Sequence, residues 1–152
     1  MVSQVADPPA FDRTTGALRL TEPPIELSAW STCRSLQAAG LEPPSGWSSV
    51  GAGQGWVDLG ACRLGDVTAA ARLHFFDGRL EAVELSFIEP DFDEDALDRV
   101  HAAWLCNQLG AEHVVADWGE ASHGLDPKNG EASIVIRYAW LGSPWAAIRP
   151  RE

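Results

Sequence analysis

Apolar and polar residues alternate along two consecutive stretches of the chain, with Ala69, Ala71, Leu73 and Phe75 on the first and Val83, Leu85 and Phe87 on the second. A period of two marks strands that bury one face, and Asp77-Gly78 between them marks a hairpin. The hairpin can close in two ways. A two-residue type I′ turn at Asp77-Gly78 sets Val83 opposite Arg72 and sends the two apolar rows to opposite faces. A three-residue loop, Phe76-Asp77-Gly78, sets Val83 opposite Ala71 and Leu85 opposite Ala69, on a shared face. The shared face favours the bulged, three-residue form, although Phe75 opposite Leu80 keeps the tighter turn open.

The same reading extends along the chain. Thr15-Gly16 supplies a turn before a short strand from Ala17 to Leu20. The stretch "PPIELSAWSTCRSLQAAG" predicts a helix capped by Ser28, with Trp30, Cys33, Leu36 and Gln37 on one stripe and Gly40 as its stop. "VDLGACRL" reads as a strand. A longer helical period follows in "EPDFDEDALDRVHAAWLCNQLG", where Leu97, Val100, Trp104 and Leu105 line one side, Asp91 with Glu94 forms a capping box and Gly110 ends the helix. The last third predicts a hairpin: "HVVADWGEAS", a type I turn begun by Asp126-Pro127 and closed by Gly130, then Ile134, Ile136, Tyr138 and Trp140 on one face. Residues 1–10 read as a loose tail, 11–152 as a single domain, and "GSPWAAIRPRE" as irregular. This order of elements predicts an α+β fold, an antiparallel β-sheet with two helices packed on one face.

The 152 residues, with 45% apolar content and seven Trp, can build a core without metal or disulfides. Cys33, Cys62 and Cys106 are odd in number and contain no CxxC pair, so they read as free thiols. The sequence opens without a basic, then apolar, leader, and no apolar run reaches about 18 residues, which makes a cytoplasmic protein the expectation. Twenty-two acidic residues against 11 basic ones leave a net charge of −11. That charge opposes binding to nucleic acid or to anionic lipid and favours encounter with a basic partner.

Candidate chemistry is sparse. Gly51, Gly53 and Gly55 lack the third glycine of a dinucleotide loop, since position 56 is Trp and a strand rather than a helix follows. Asp91, Asp93 and Asp95 imitate the first ligands of a calcium loop, but Ala96 stands where the turn needs Gly and Ala102 where a bidentate Glu is required. His74, His101, His113 and His123 show no metal-binding spacing, and His74 and Arg79 have no titratable partner close in sequence. Ser122 and His123 are adjacent, hence on opposite faces of a strand. Trp118, Tyr138 and Trp140 read first as core and second as an aromatic pocket. No cofactor, metal or catalytic residue is assigned. The densest charge, Asp91, Asp93, Glu94, Asp95 and Asp98, is the candidate partner-binding surface.

The series "FD…TGALRL", "LHFFDGRLEAVEL", "WLCNQLG" and "WGEASHGLDPKNGEASIVIRY" resembles a loosely defined set of small, uncharacterised bacterial proteins. In that set an F-x-x-G-x-L hairpin precedes a helix ending W-L-x-x-x-L-G, and W-G with D-P-K-x-G-x-x-x-I-x-I-x-Y closes the chain. The resemblance implies a small α+β domain, and an immunity-protein-like role of neutralising a toxin. It brings no functional residue with it. Two functions therefore stand as expectations: a non-enzymatic domain that binds a basic protein such as a toxin through its acidic surface, and a small-molecule-binding or enzymatic domain with a Trp- and carboxylate-lined pocket.

Overall fold

The alternation carries through into the structure, a computed structural model that describes residues 10–48, 50 and 53–139. Residues 1–9 of the expected tail, Gly51, Trp140 and the closing segment lie outside the described residues. The elements in chain order are β1 (Leu18–Thr21), β2 (Pro24–Leu27), α1 (Cys33–Ala38), β3 (Gln54–Leu64), β4 (Val67–Phe76), β5 (Arg79–Phe87), α2 (Glu94–Leu109), β6 (Val114–Ala116), β7 (Gly119–Leu125) and β8 (Ala132–Tyr138). β1 and β2 make a small hairpin of their own; the other six strands form one sheet in the order β3-β4-β5-β8-β7-β6, antiparallel throughout. Two meanders are joined by α2, which carries the chain from β5 to the far edge so that β8 can return beside β5. Most of the regular structure is sheet, with helix confined to α1 and α2 among the described residues.

One face of the sheet is covered. Leu73, Phe75, Val83, Leu85, Ile134, Ile136 and Tyr138 are buried on it, and α2 lays Leu97, His101, Trp104, Leu105 and Leu109 into the same core. Beside α2, Phe11 contacts Trp104 and Trp118 at ring-centroid distances of 6.3 and 5.5 Å. The backbone N–H of Phe11 donates to Gln108 Oε1, which ties the start of the described chain to the helix. Each such side chain taken out of water contributes about 1.5–3 kcal/mol, so this layer carries the stability of the fold.

Four local expectations are corrected. The segment at Pro24–Leu27 is a strand rather than the lead of a helix; α1 is short and capped by Thr32, whose side chain accepts from Ser35 N while the Ser35 hydroxyl accepts from Thr32 N. Ser28 accepts from Trp30 N in the preceding turn, and Trp30 is exposed rather than on a buried stripe. α2 is capped by Asp93, which accepts from Ala96 N at 2.7 Å, and not by Asp91. The β4–β5 turn is the two-residue form, with positive φ at both Asp77 (49°) and Gly78 (80°). Phe76 pairs with Arg79 and Phe75 with Leu80, and then Glu81 bulges out so that His74 pairs with Ala82, Leu73 with Val83 and Ala71 with Leu85. The bulge, one step past the turn, is what returns both apolar rows to one face.

Candidate functional site

The five acidic residues singled out by charge density lie at the start of α2 and do different work. Asp93 caps the helix. Glu94 accepts a 2.6 Å bond from the backbone N–H of Ala132, fastening the helix to the start of β8. Asp98 holds His123 of β7 at 2.7 Å, and the other ring nitrogen of His123 lies 3.0 Å from Glu112. Asp91 and Asp95 are exposed and make no side-chain bond among the described residues. The structure therefore brings this group to one end of the sheet, with three of its members engaged in holding α2 in place.

Among the described residues the second face of the sheet carries no helix, and its residues line up across the strands. One row runs Asp58, Arg72, Glu84, Val135, Ser122 from β3 to β7; the next runs Trp56, His74, Ala82, Arg137, Glu120. Arg72 bonds Asp58 through Nε at 2.7 Å and Nη2 at 3.4 Å, and its guanidinium lies 5.5 Å from the centre of the Trp56 ring. The Asp58 bond, with help from the nearby Glu84 charge, raises the Arg72 pKa further, so the guanidinium stays charged. His74 Nε2 bonds Glu84 across the β4–β5 pair. That bond holds the Glu84 carboxyl below its usual range against the opposing effect of burial.

Between these charges the strands present small side chains: Ala82 on β5, Ser122 and Gly124 on β7, Ser133 on β8. The missing bulk leaves a trough of about 640 Å³, rimmed by His74, Glu81, Glu84, Asp126 and Arg137. A second hollow of about 240 Å³ continues it over Ala70 and Ser86 and is rimmed by Asp58, Arg72, Asp126 and Glu131. Glu81 reaches the rim because it is the bulged residue of β5. Two bulges bend this face, the other falling at Leu59 between Asp58 and Gly60.

Charge pairing on this face was the signal missed in the sequence. His74 does have a titratable partner, Glu84, which lies ten positions on and is visible only once the hairpin register is right. Trp118 and Tyr138 are core: the indole N–H donates to Arg13 O at 2.7 Å and the phenol to Gly16 O at 2.7 Å. His101 is fully buried, accepts from Phe87 N at 3.0 Å on Nε2, and is pushed down to about 4 by burial. Cys62 is buried, which pushes its thiol up to about 11, whereas Cys106 is exposed. Among the described residues no group of three or more His, Cys, Asp or Glu is arranged to hold a metal ion, and no helix is long and apolar enough to cross a membrane.

No family model, no curated protein and no solved structure matches this chain.

Proposed function

We propose that this chain is a non-enzymatic protein-binding domain, immunity-protein-like, that acts in the cytoplasm by covering a basic partner with its acidic surface. In this reading it is an α+β module: the helices stiffen one face, and the open face of the sheet meets the partner. The observation that carries the proposal is that open face, whose trough is rimmed by carboxylates of β5 and of the β7–β8 turn. The six strands, from three to 11 residues long and about 4.8 Å apart, offer about 750 Å² in projection at about 3.3 Å per residue. That approaches the roughly 800 Å² one partner contributes to a standard interface. The net charge of −11 steers a basic protein towards it. Asp91, Asp93, Glu94, Asp95 and Asp98 extend the acidic surface around the same end of the sheet, because Glu94 is bonded to Ala132 and Ala132 pairs with Leu125 beside Asp126.

The competing reading, a small-molecule or enzymatic pocket lined by Trp and carboxylates, keeps the carboxylates but loses Trp118 to the core. The test is calorimetry against the products of the genes flanking this one. Micromolar binding at low salt that weakens by about 0.3 M, where the Debye length is well under 8 Å, supports the proposal. Absence of binding to every such product at low salt overturns it.

A further inference from the structure

We infer that the trough on the open face is a recognition site for an arginine side chain, presented by an extended segment of the partner and seated over Ala82 and Val135 against Glu84 and Glu81. The inference rests on the binding-module reading and names the group that would be recognised. Three observations carry it.

The shape comes from the sequence. Ala82, Ser122, Gly124 and Ser133 are small residues of β5, β7 and β8 that line the trough, and His74 and Arg137 stand opposite Ala82 on the neighbouring strands with Glu84 two residues along its own. A volume of about 640 Å³ admits an arginine with its flanking backbone. A sheet face on which the described residues place no second layer also lets an extended chain lie across it.

The charge is predominantly negative, three carboxylates against one guanidinium with the His74 imidazole beside them. Glu81, Glu84 and Asp126 face the trough from β5 and from the β7–β8 turn, and Arg137 is the guanidinium among the residues that line it. A concavity lined mostly by one sign focuses the field within it. Glu81 is there because the bulge turns it out of the β4–β5 ladder, and bulges commonly re-aim a side chain at a binding site.

The same face already shows how it holds a guanidinium. Arg72 lies forked on Asp58, beside the ring of Trp56 and next in its row to Glu84. A guanidinium is more weakly hydrated than an ammonium and matches a carboxylate with two parallel bonds, so arginine is favoured over lysine at such a place. The incoming group would displace His74 from Glu84.

The experiment is a two-dimensional NMR titration of the full chain with N-acetyl-argininamide, its lysine counterpart and its neutral citrulline counterpart. The expected result is saturable shifts of the Ala82, Glu84, Ser133 and Val135 amides with the arginine probe, weaker ones with lysine and none with citrulline. Glu84→Gln is expected to weaken the arginine probe at least fivefold, and His74→Ala to tighten it. Both residues are partly exposed, so the fold is retained, and the spectrum of each variant checks that. Equal responses to arginine and citrulline, or shifts confined to the start of α2, overturn the inference. Binding of a flanking-gene product that survives Glu84→Gln overturns it while leaving the binding-module reading intact. A saturable arginine titration, where no flanking-gene product binds at low salt, supports the guanidinium site and removes the module reading.

Discussion

His123 of β7 and Asp98 of α2 meet at 2.7 Å, so one imidazole fastens the long helix to the sheet from the far side of the chain reversal. The same ring reaches Glu112, 3.0 Å away on the segment leaving the helix. Burial opposes the charged ring, but the bonds to Asp98 and Glu112 outweigh it and the His123 pKa is raised. A raised folded-state value contributes stability that is present in full below the unfolded value of about 6.5 and is lost as pH rises through the folded value. Asp98→Asn is therefore expected to cost about 2 kcal/mol near pH 6 and less than about 1 kcal/mol near pH 9. Urea unfolding at the two pH values measures this, and an equal cost at both would remove the charged pair from the account.

His101 has the opposite sign. It is buried at the α2–sheet interface, its ring stands edge-on to Phe87 at 4.8 Å, and its Nε2 accepts the Phe87 N–H. The ring is therefore neutral with its proton on Nδ1, a buried atom with no hydrogen-bond partner among the described residues. Asp98 and Glu94 favour its charging and His123 opposes it, but burial dominates and lowers the value to about 4. Stability contributed by the neutral ring is present above about pH 6.5 and is lost as pH falls towards 4, by at most about 3 kcal/mol. His101→Leu should be less stable than the parent at neutral pH by about 1–3 kcal/mol, because the Phe87 N–H loses its acceptor. It should also lose less stability between pH 7 and pH 4 than the parent does. Parallel pH profiles of the two proteins would contradict this.

Gly119 stands where β7 meets β8 with no room for a side chain. A Cβ there would lie 1.8 Å from the Arg137 carbonyl oxygen, and the residue's φ of +144° is itself unfavourable for an L side chain. Gly119→Ala is expected to break the Gly119–Tyr138 pairing and to cost about 4 kcal/mol or more. Gly124, on the same strand, has nothing within 4 Å of a Cβ, so Gly124→Ala should change stability by less than about 1 kcal/mol. Thermal melts of the pair separate a steric demand at one glycine from a general need for glycine in β7.

How much of this was legible follows from what each pattern encodes. The covered face was legible because burial repeats every second residue: Leu73, Val83, Leu85, Ile134, Ile136 and Tyr138 are all core. The β7–β8 turn was legible because Asp126 accepts from Lys128 N and Gly130 takes φ +74°, the chemistry that Asp-Pro and a closing Gly announce. β1 was legible as the strand expected over Ala17–Leu20, but its partner β2 was not, because Pro23, Pro24 and a single Ile-Glu-Leu alternation imitate the lead into a helix. The open-face site was hidden by register. A bulge at Glu81 shifts the apolar period by one, so that Leu80 and Val83 share the core face, and it moves Glu84 opposite Arg72 and diagonal to His74. Only the ladder, not the sequence period, brings these charges together.

The acidic start of α2 separates stability from recognition residue by residue. Asp93 accepts the Ala96 N–H at 2.7 Å and so satisfies one of the free amides of the first turn. Asp93→Ala is expected to cost about 1 kcal/mol, within the usual 0.5–2 for a lost N-cap. Asp91 lies outside the helix and caps nothing, so Asp91→Ala should leave the melting temperature unchanged. Asp95, in the first turn, gains only the helix-dipole term, about 0.3–1 kcal/mol when exposed. The double variant Asp91→Asn with Asp95→Asn is thus a folded protein with two fewer negative charges on the surface proposed to meet the partner. Its partner affinity should fall at low salt through a slower on-rate and converge with the parent's at about 0.3 M salt. A loss that salt does not diminish would mean that these two residues make direct contacts rather than contributing to the field.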